Sequence, residues 1–180
     1  PSFVFASSEL GTISYGGACL SAKTAAVAGN NEVTLNSLSD GAYADCELRV
    51  TDAAGNVGVL ALSSFTVDTN SPNLGLSIPI ASLVNNSTPS LVFSTSEPGT
   101  ISYEGACSSA RTAAVTGENE ITLNSLSDGQ YTDCKLKVKD AAGNTSVLAL
   151  GSFKIDTVAP SLKVTTSIPS VTRDTTPSFV

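Results

Sequence analysis

The chain has 180 residues, a formal net charge of −7, and no His, Met or Trp. Sparse, acidic charge argues against nucleic acid and against anionic membrane surfaces as partners, and the missing His removes the commonest catalytic base and metal ligand. No apolar run approaches the roughly 18 residues that a membrane-spanning helix needs, so no membrane insertion is expected of this segment.

Length alone permits one domain or two, and an internal repeat decides for about two. With an offset of 88, 54 of the first 88 positions recur in the second copy. Pro1-Ser2 returns as Pro89-Ser90 and again as Pro177-Ser178, while Cys19 and Cys46 return as Cys107 and Cys134. Repeats of this size are whole β-modules or solenoid units in series. Between the copies, Val67-Asp68-Thr69-Asn70-Ser71-Pro72 has linker composition, and a Pro near a strand start cannot join a ladder interior. The expected division is 1–69, a module lacking its first strand; 70–157, a complete module; and 158–180, the first strands of a third. The chain is therefore expected to be a window on a longer polypeptide.

In the complete copy, Leu74, Leu76 and Ile78 alternate and predict a first strand with all three inward. Leu91 and Phe93 mark the second strand; Ile101 and Tyr103, running on to Cys107, mark the third. Ser108 to Gly117 is small and polar, a short strand or a loop. Ile121 and Leu123, closed by Leu126, form the next strand. Then Cys134, Leu136 and Val138 point inward while Lys135, Lys137 and Lys139 point outward. Leu148 and Leu150 precede Phe153 and Ile155 with a change of parity at Gly151-Ser152; one extra residue there predicts a β-bulge. No segment has a helical period. About seven short strands separated by turn signals indicate an all-β fold of tandem immunoglobulin-like β-sandwich modules.

Three motifs carry a resemblance. Leu126-Ser-Asp-Gly-Gln-Tyr131, Val138-Lys-Asp-Ala-Ala-Gly-Asn144 and Phe153-Lys-Ile-Asp-Thr-Val-Ala-Pro160, with Leu38-Ser-Asp-Gly-Ala-Tyr43, Val50-Thr-Asp-Ala-Ala-Gly-Asn56 and Phe65-Thr-Val-Asp-Thr69 in the first copy, resemble the tandem bacterial Ig-like repeats of giant extracellular adhesins. The resemblance spans the whole repeat. It implies an extracellular, cell-surface location, a bacterial source, and a stalk whose partners are neighbouring modules of the same long chain or like chains in a filament.

The four cysteines fall as two pairs, each 27 positions apart. Four cysteines allow three connectivities; the repeat favours Cys19–Cys46 and Cys107–Cys134. In an Ig-like sandwich the strands beside each pair are neighbours, and the relevant ends share a pole. Such a bridge is worth about 3 kcal/mol by loop-closure entropy and implies an oxidising compartment. Two buried free thiols per module are the alternative. Zinc is not expected without His or a close Cys pair, nor a Cys nucleophile without a base. An isopeptide staple is not expected either: the only Lys of the first copy, Lys23, is Arg111 in the second.

Asp140-Ala-Ala-Gly-Asn144 admits two readings. One is a tight hairpin, capped by Asp and Asn, with Gly143 supplying a positive φ. The other is calcium at a module joint, with Asp140 and Asn144 facing Asp68 and Asn70 of the linker and Glu97 nearby, because calcium takes roughly six to eight oxygens and the resemblance includes calcium-braced repeats. Asp52 and Asn56 would serve in the same way at a joint outside this window, and Asp156 with a following module. Asp128 and Asp133 are expected to be turn residues. The sequons opened by Asn85, Asn86 and Asn144 are expected to stay bare.

No nucleophile, base and oxyanion site assemble from these residues, so no enzymatic activity is expected. The leading expectation is a non-enzymatic extracellular spacer, a stalk or fibre segment. The alternative is a carbohydrate- or protein-binding module acting through its loops, where Tyr15, Tyr43, Tyr103 and Tyr131 are the only tyrosines. Leu162, Val164 and Ile168 repeat the first-strand pattern. In a long chain they are expected to open the next module; between separate chains they would complete a neighbour by strand donation.

Overall fold

The computed structural model describes residues 1–165, 167, 170, 171, 173, 175 and 176; Ile168 lies outside them. Among the described residues every regular element is a strand. In chain order these are β1 Ser2–Ser7, β2 Gly11–Gly16, β3 Ala25–Ala26, β4 Gly29–Thr34, β5 Gly41–Tyr43, β6 Glu47–Thr51, β7 Val57–Ala61, β8 Phe65–Val67, β9 Leu74–Ile78 and β10 Leu83–Val84. There follow β11 Ser90–Thr95, β12 Gly99–Glu104, β13 Ala113–Ala114, β14 Gly117–Thr122, β15 Gly129–Tyr131, β16 Lys135–Lys139, β17 Thr145–Ala149 and β18 Phe153–Ile155. Each bound of β11–β18 lies 88 residues after the corresponding bound of β1–β8. The chain divides into two compact units: Pro1–Pro72 together with the turn Lys139–Thr145, and Asn73–Val138 together with the described residues from Ser146 onward.

In the second unit the strands form three hydrogen-bonded groups, ordered β13-β12-β16-β17, β14-β11-β9 and β10-β18-β15. Alternation sends Ile101, Leu136 and Val138 of the four-stranded sheet into the same core as Leu91, Phe93, Ile121, Leu123, Phe153 and Ile155 from the other groups. Burying each such side chain contributes roughly 1.5–3 kcal/mol, which is what orders these short strands. In the first unit the groups are β3-β2-β6-β7, β1-β4 and β5-β8, and the core holds Phe5, Ile13, Val33, Leu35 and Leu48.

Four local expectations need correction. Ile78 does not point inward; it is 58% exposed, and the buried residue is Ile80 at 7%. The β9–β11 register shifts between Val92 and Phe93, which reverses parity along β9. The chain then crosses to the other group, where β10 runs parallel to β18. The opening segment thus serves two sheets.

Nor is the parity change at Gly151-Ser152 a bulge. β17 belongs to the four-stranded sheet, while β18 pairs with β15 and β10. The chain switches sheets between them, so Leu150 and Phe153 both reach the core. Gly151 makes the crossing with φ +79°, a conformation open to Gly at little steric cost.

β15 was not expected as a strand. It lies within the Leu-Ser-Asp-Gly-Gln-Tyr motif and pairs Tyr131 with Phe153, whose rings stack with centroids 5.2 Å apart. Finally, Cys107 lies beyond the end of β12 rather than within a strand. The Ser108 to Gly117 segment agrees with its reading as a short strand or a loop, since it contains the two-residue β13.

Candidate functional site

Both favoured cysteine pairings are present. Cys19–Cys46 and Cys107–Cys134 are disulfides with Cα–Cα separations of 5.3 Å, all four residues are buried, and none is free. Each bridge ties the loop after the second strand of its repeat (β2 or β12) to the residue just before β6 or β16. The Cys46 and Cys134 carbonyls accept hydrogen bonds from the Leu62 and Leu150 N–H groups, so each bridge also meets the sheet-switching segment. Two structural bridges of this kind point to an oxidising, extracellular-type environment. No helix among the described residues is long and apolar enough to cross a membrane.

The two Asp-Ala-Ala-Gly-Asn segments are closed turns. Asp140 Oδ1 accepts from the N–H groups of Gly143 (2.6 Å) and Asn144 (2.8 Å), and Oδ2 accepts from Asn144 Nδ2 at 2.9 Å. Asp52 does the same with Ala54 N–H, Asn56 N–H and Asn56 Nδ2, each at 2.8 Å. The ladder closes through Asp140 N–H to Asn144 O and Asp52 N–H to Asn56 O. Gly143, at φ +103°, supplies the backbone the turn needs. These bonds favour the charged form. At Asp52 the Asn56 side chain, then the Asn56 backbone, holds the carboxyl below its ordinary range. At Asp140 burial pushes the carboxyl upward, but the Asn144 side chain and the N–H groups of the turn outweigh it and leave it lowered.

The other residues considered for a cation are placed as follows. Asn144 Nδ2 also donates to the Asp68 main-chain oxygen at 3.0 Å, within the first unit as its turn is grouped. Asp68 Oδ1 accepts from Asn70 N–H at 3.1 Å. Glu97 lies in the turn between β11 and β12, its carbonyl accepting from Thr95 Oγ1 at 2.9 Å. Asp156 pairs with Lys154 at 3.1 Å; that hydrogen bond and the lysine charge lower its pKa. Among these contacts, the turn bonds of Asp52 and Asp140 match the hairpin reading directly.

Two kinds of bracing residue were missed. Asp40 accepts from Thr69 N–H (3.0 Å) and Thr69 Oγ1 (2.9 Å), and its Oδ2 accepts from Asn70 Nδ2 at 2.6 Å. Asp128 holds Thr157 in the same way, accepting from N–H at 3.1 Å and Oγ1 at 2.8 Å. Each Asp thus clasps the end of its own module. The signal was present as Asp40 with Asp68-Thr69 and Asp128 with Asp156-Thr157 at one spacing.

Asn31 and Asn119 are the second kind. They are buried, and each side chain bonds the N–H and carbonyl of a residue four positions before it, Val27 or Val115. Asn119 Oδ1 also accepts from Arg111 at 2.8 Å. Parity could have found them, because Asn119 alternates in phase with Ile121 and Leu123.

All four tyrosine hydroxyls donate to main-chain carbonyls of their own module: Tyr15 to Lys23, Tyr43 to Ser39, Tyr103 to Arg111 and Tyr131 to Ser127. No protein-family model matches the chain, and a search of curated proteins returns no match.

Proposed function

We propose that the chain is a non-enzymatic extracellular spacer: tandem Ig-like β-sandwich modules forming part of a stalk or fibre of a bacterial surface adhesin or filament. The observation that carries this reading is that the two copies agree in every strand bound and place one disulfide at the same point of each. Polar side chains that a binding or catalytic loop would present are turned to internal use instead. The tyrosine hydroxyls hold main-chain carbonyls, and the Asp52 and Asp140 carboxylates hold their own turns. The Tyr131 hydroxyl donates to a carbonyl four residues upstream, but Tyr131 stands three residues before Cys134, where the tyrosine corner of Ig domains has two.

Antibodies against this chain, applied to intact source cells, test the reading. Labelling of unpermeabilised cells, removed by brief external proteolysis, is the expected result. Signal only after permeabilisation rejects it. A loop-mediated sugar-binding role would instead appear as saturable binding in a glycan array that survives removal of neighbouring modules.

A further inference from the structure

Several differences between the two copies change charge on the outside of the second unit. On β16, Leu136 and Val138 enter the core, so Lys135 and Lys137 point outward, with Lys139 at the strand's end. On the neighbouring β17, Leu148 packs against the core while Val147 is 52% exposed. Glu104 of β12 is the only carboxylate in the four strands of this sheet. Across the core, Asn119 and Ile121 of β14 are buried, so Glu118 and Glu120 point outward. Glu120 lies opposite Val92, and Val92 opposite the exposed Ile78. β9, β11 and β14 contain no Lys or Arg. The second unit therefore carries a basic face and an acidic face on opposite sides of one core.

The first unit shows that the fold does not require this. Lys135, Lys137 and Lys139 stand where it has Glu47, Arg49 and Thr51, and Glu118 stands where it has Asn30. Glu47 and Arg49 pair with each other. Among the described residues no ion pair holds Lys135, Lys137, Glu118 or Glu120.

We propose that the β16 face of one copy packs against the β14 face of a second copy. On each strand the two charges stand two residues apart, roughly 7 Å. Lys135 and Lys137 therefore meet Glu118 and Glu120 as two pairs at one spacing. Val147 on one side and Val92 with Ile78 on the other supply apolar contact beside the pairs. The two faces differ and lie on opposite sides of the unit, so the contact is heterologous, and each added copy leaves one face of each kind free. Three strands of about six residues cover roughly 300 Å², far below the roughly 800 Å² per partner of a standard interface. The association is weak and reversible, and it sets copies side by side. It uses the second unit alone and does not rest on the spacer reading.

Sedimentation equilibrium of the 180-residue chain up to about 1 mM, where weak contacts register, tests it. At about 0.1 M salt a Debye length of about 10 Å screens repulsion between whole acidic chains but leaves pairs in contact. There the average mass is expected to rise above the monomer with concentration, and to return to the monomer at about 1 M salt. The variant Lys135→Glu with Lys137→Glu has two acidic faces; Glu118→Lys with Glu120→Lys has two basic ones. All four side chains point away from the core, so both variants keep the parent's circular dichroism spectrum. Each alone stays monomeric, and an equal mixture of the two associates as the parent does. A parent that stays monomeric at the lower salt overturns the inference. So does association that survives the higher salt or either double variant, and so does a mixture that stays monomeric.

Discussion

The two units share most of their sequence, and both bury a core, yet among the described residues only the second has a segment, β9 and β10, added to its sheets. Phe93 and its counterpart Phe5 sit at the same point of the same strand, but among the described residues only Phe93 has a further strand, β9, paired beside it. Likewise Phe153 is buried and Phe65 part-buried. Strand pairing is thus set locally by alternation, whereas closure of the core depends on a segment contributed from outside the eight strands the copies share. Burial here belongs to the topology more than to the residue.

The largest expected effect breaks that symmetry. Phe93→Ala empties an enclosed site and should cost the second unit about 3–5 kcal/mol. Phe5→Ala, at a buried site with fewer described strands around it, should cost the first unit less. Urea unfolding of the full chain, followed separately for each unit by hydrogen exchange, measures both; equal losses would remove the contrast. Next, the bridges should contribute alike. Replacing Cys107 and Cys134 by Ala should cost the second unit about 3 kcal/mol, and Cys19 with Cys46 the same in the first, read in the same experiment. A markedly smaller loss in one unit would show residual order in its unbridged chain.

The buried amides sharpen the comparison. Asn119→Ala leaves the Val115 groups unpaired and should cost about 1–3 kcal/mol. Asn31→Ala should cost less, because Lys23 stands where Arg111 bonds Asn119.

The smallest effect is a pH dependence. The Asp52 and Asp140 carboxyls are lowered in the folded chain. The stability they contribute is therefore present above their ordinary value of 3.8 and lost as pH falls through the lower folded values. Melting curves of Asp140→Ala and the parent should converge in that acid range. If the difference between the two at neutral pH vanishes with chelator, the calcium reading replaces the hairpin reading; if it persists, the hairpin reading stands.

Much of this was legible in the sequence. Period-two alternation identified the inward residues of β11, β14 and β16, and the repeat chose the cysteine pairs. The errors share one cause. Alternation fixes faces within a sheet and says nothing when a chain leaves it, so the crossings after β9 and at Gly151 were taken for a straight strand and a bulge. Asp128 reads as a turn residue because it stands beside Gly129, and nothing local singles out Asp40; their partners lie 29 residues away, beyond the reach of local pattern.

The bridges have a mechanical consequence. When a module is pulled by its ends, tension passes through the disulfide and bypasses everything between its two cysteines. Each bridge spans 27 residues, so about 90 Å of contour per module stays slack-free and withheld from extension. Under tension the oxidised chain therefore stops lengthening sooner than the reduced one, so the redox state of its surroundings would set how far it stretches before it holds.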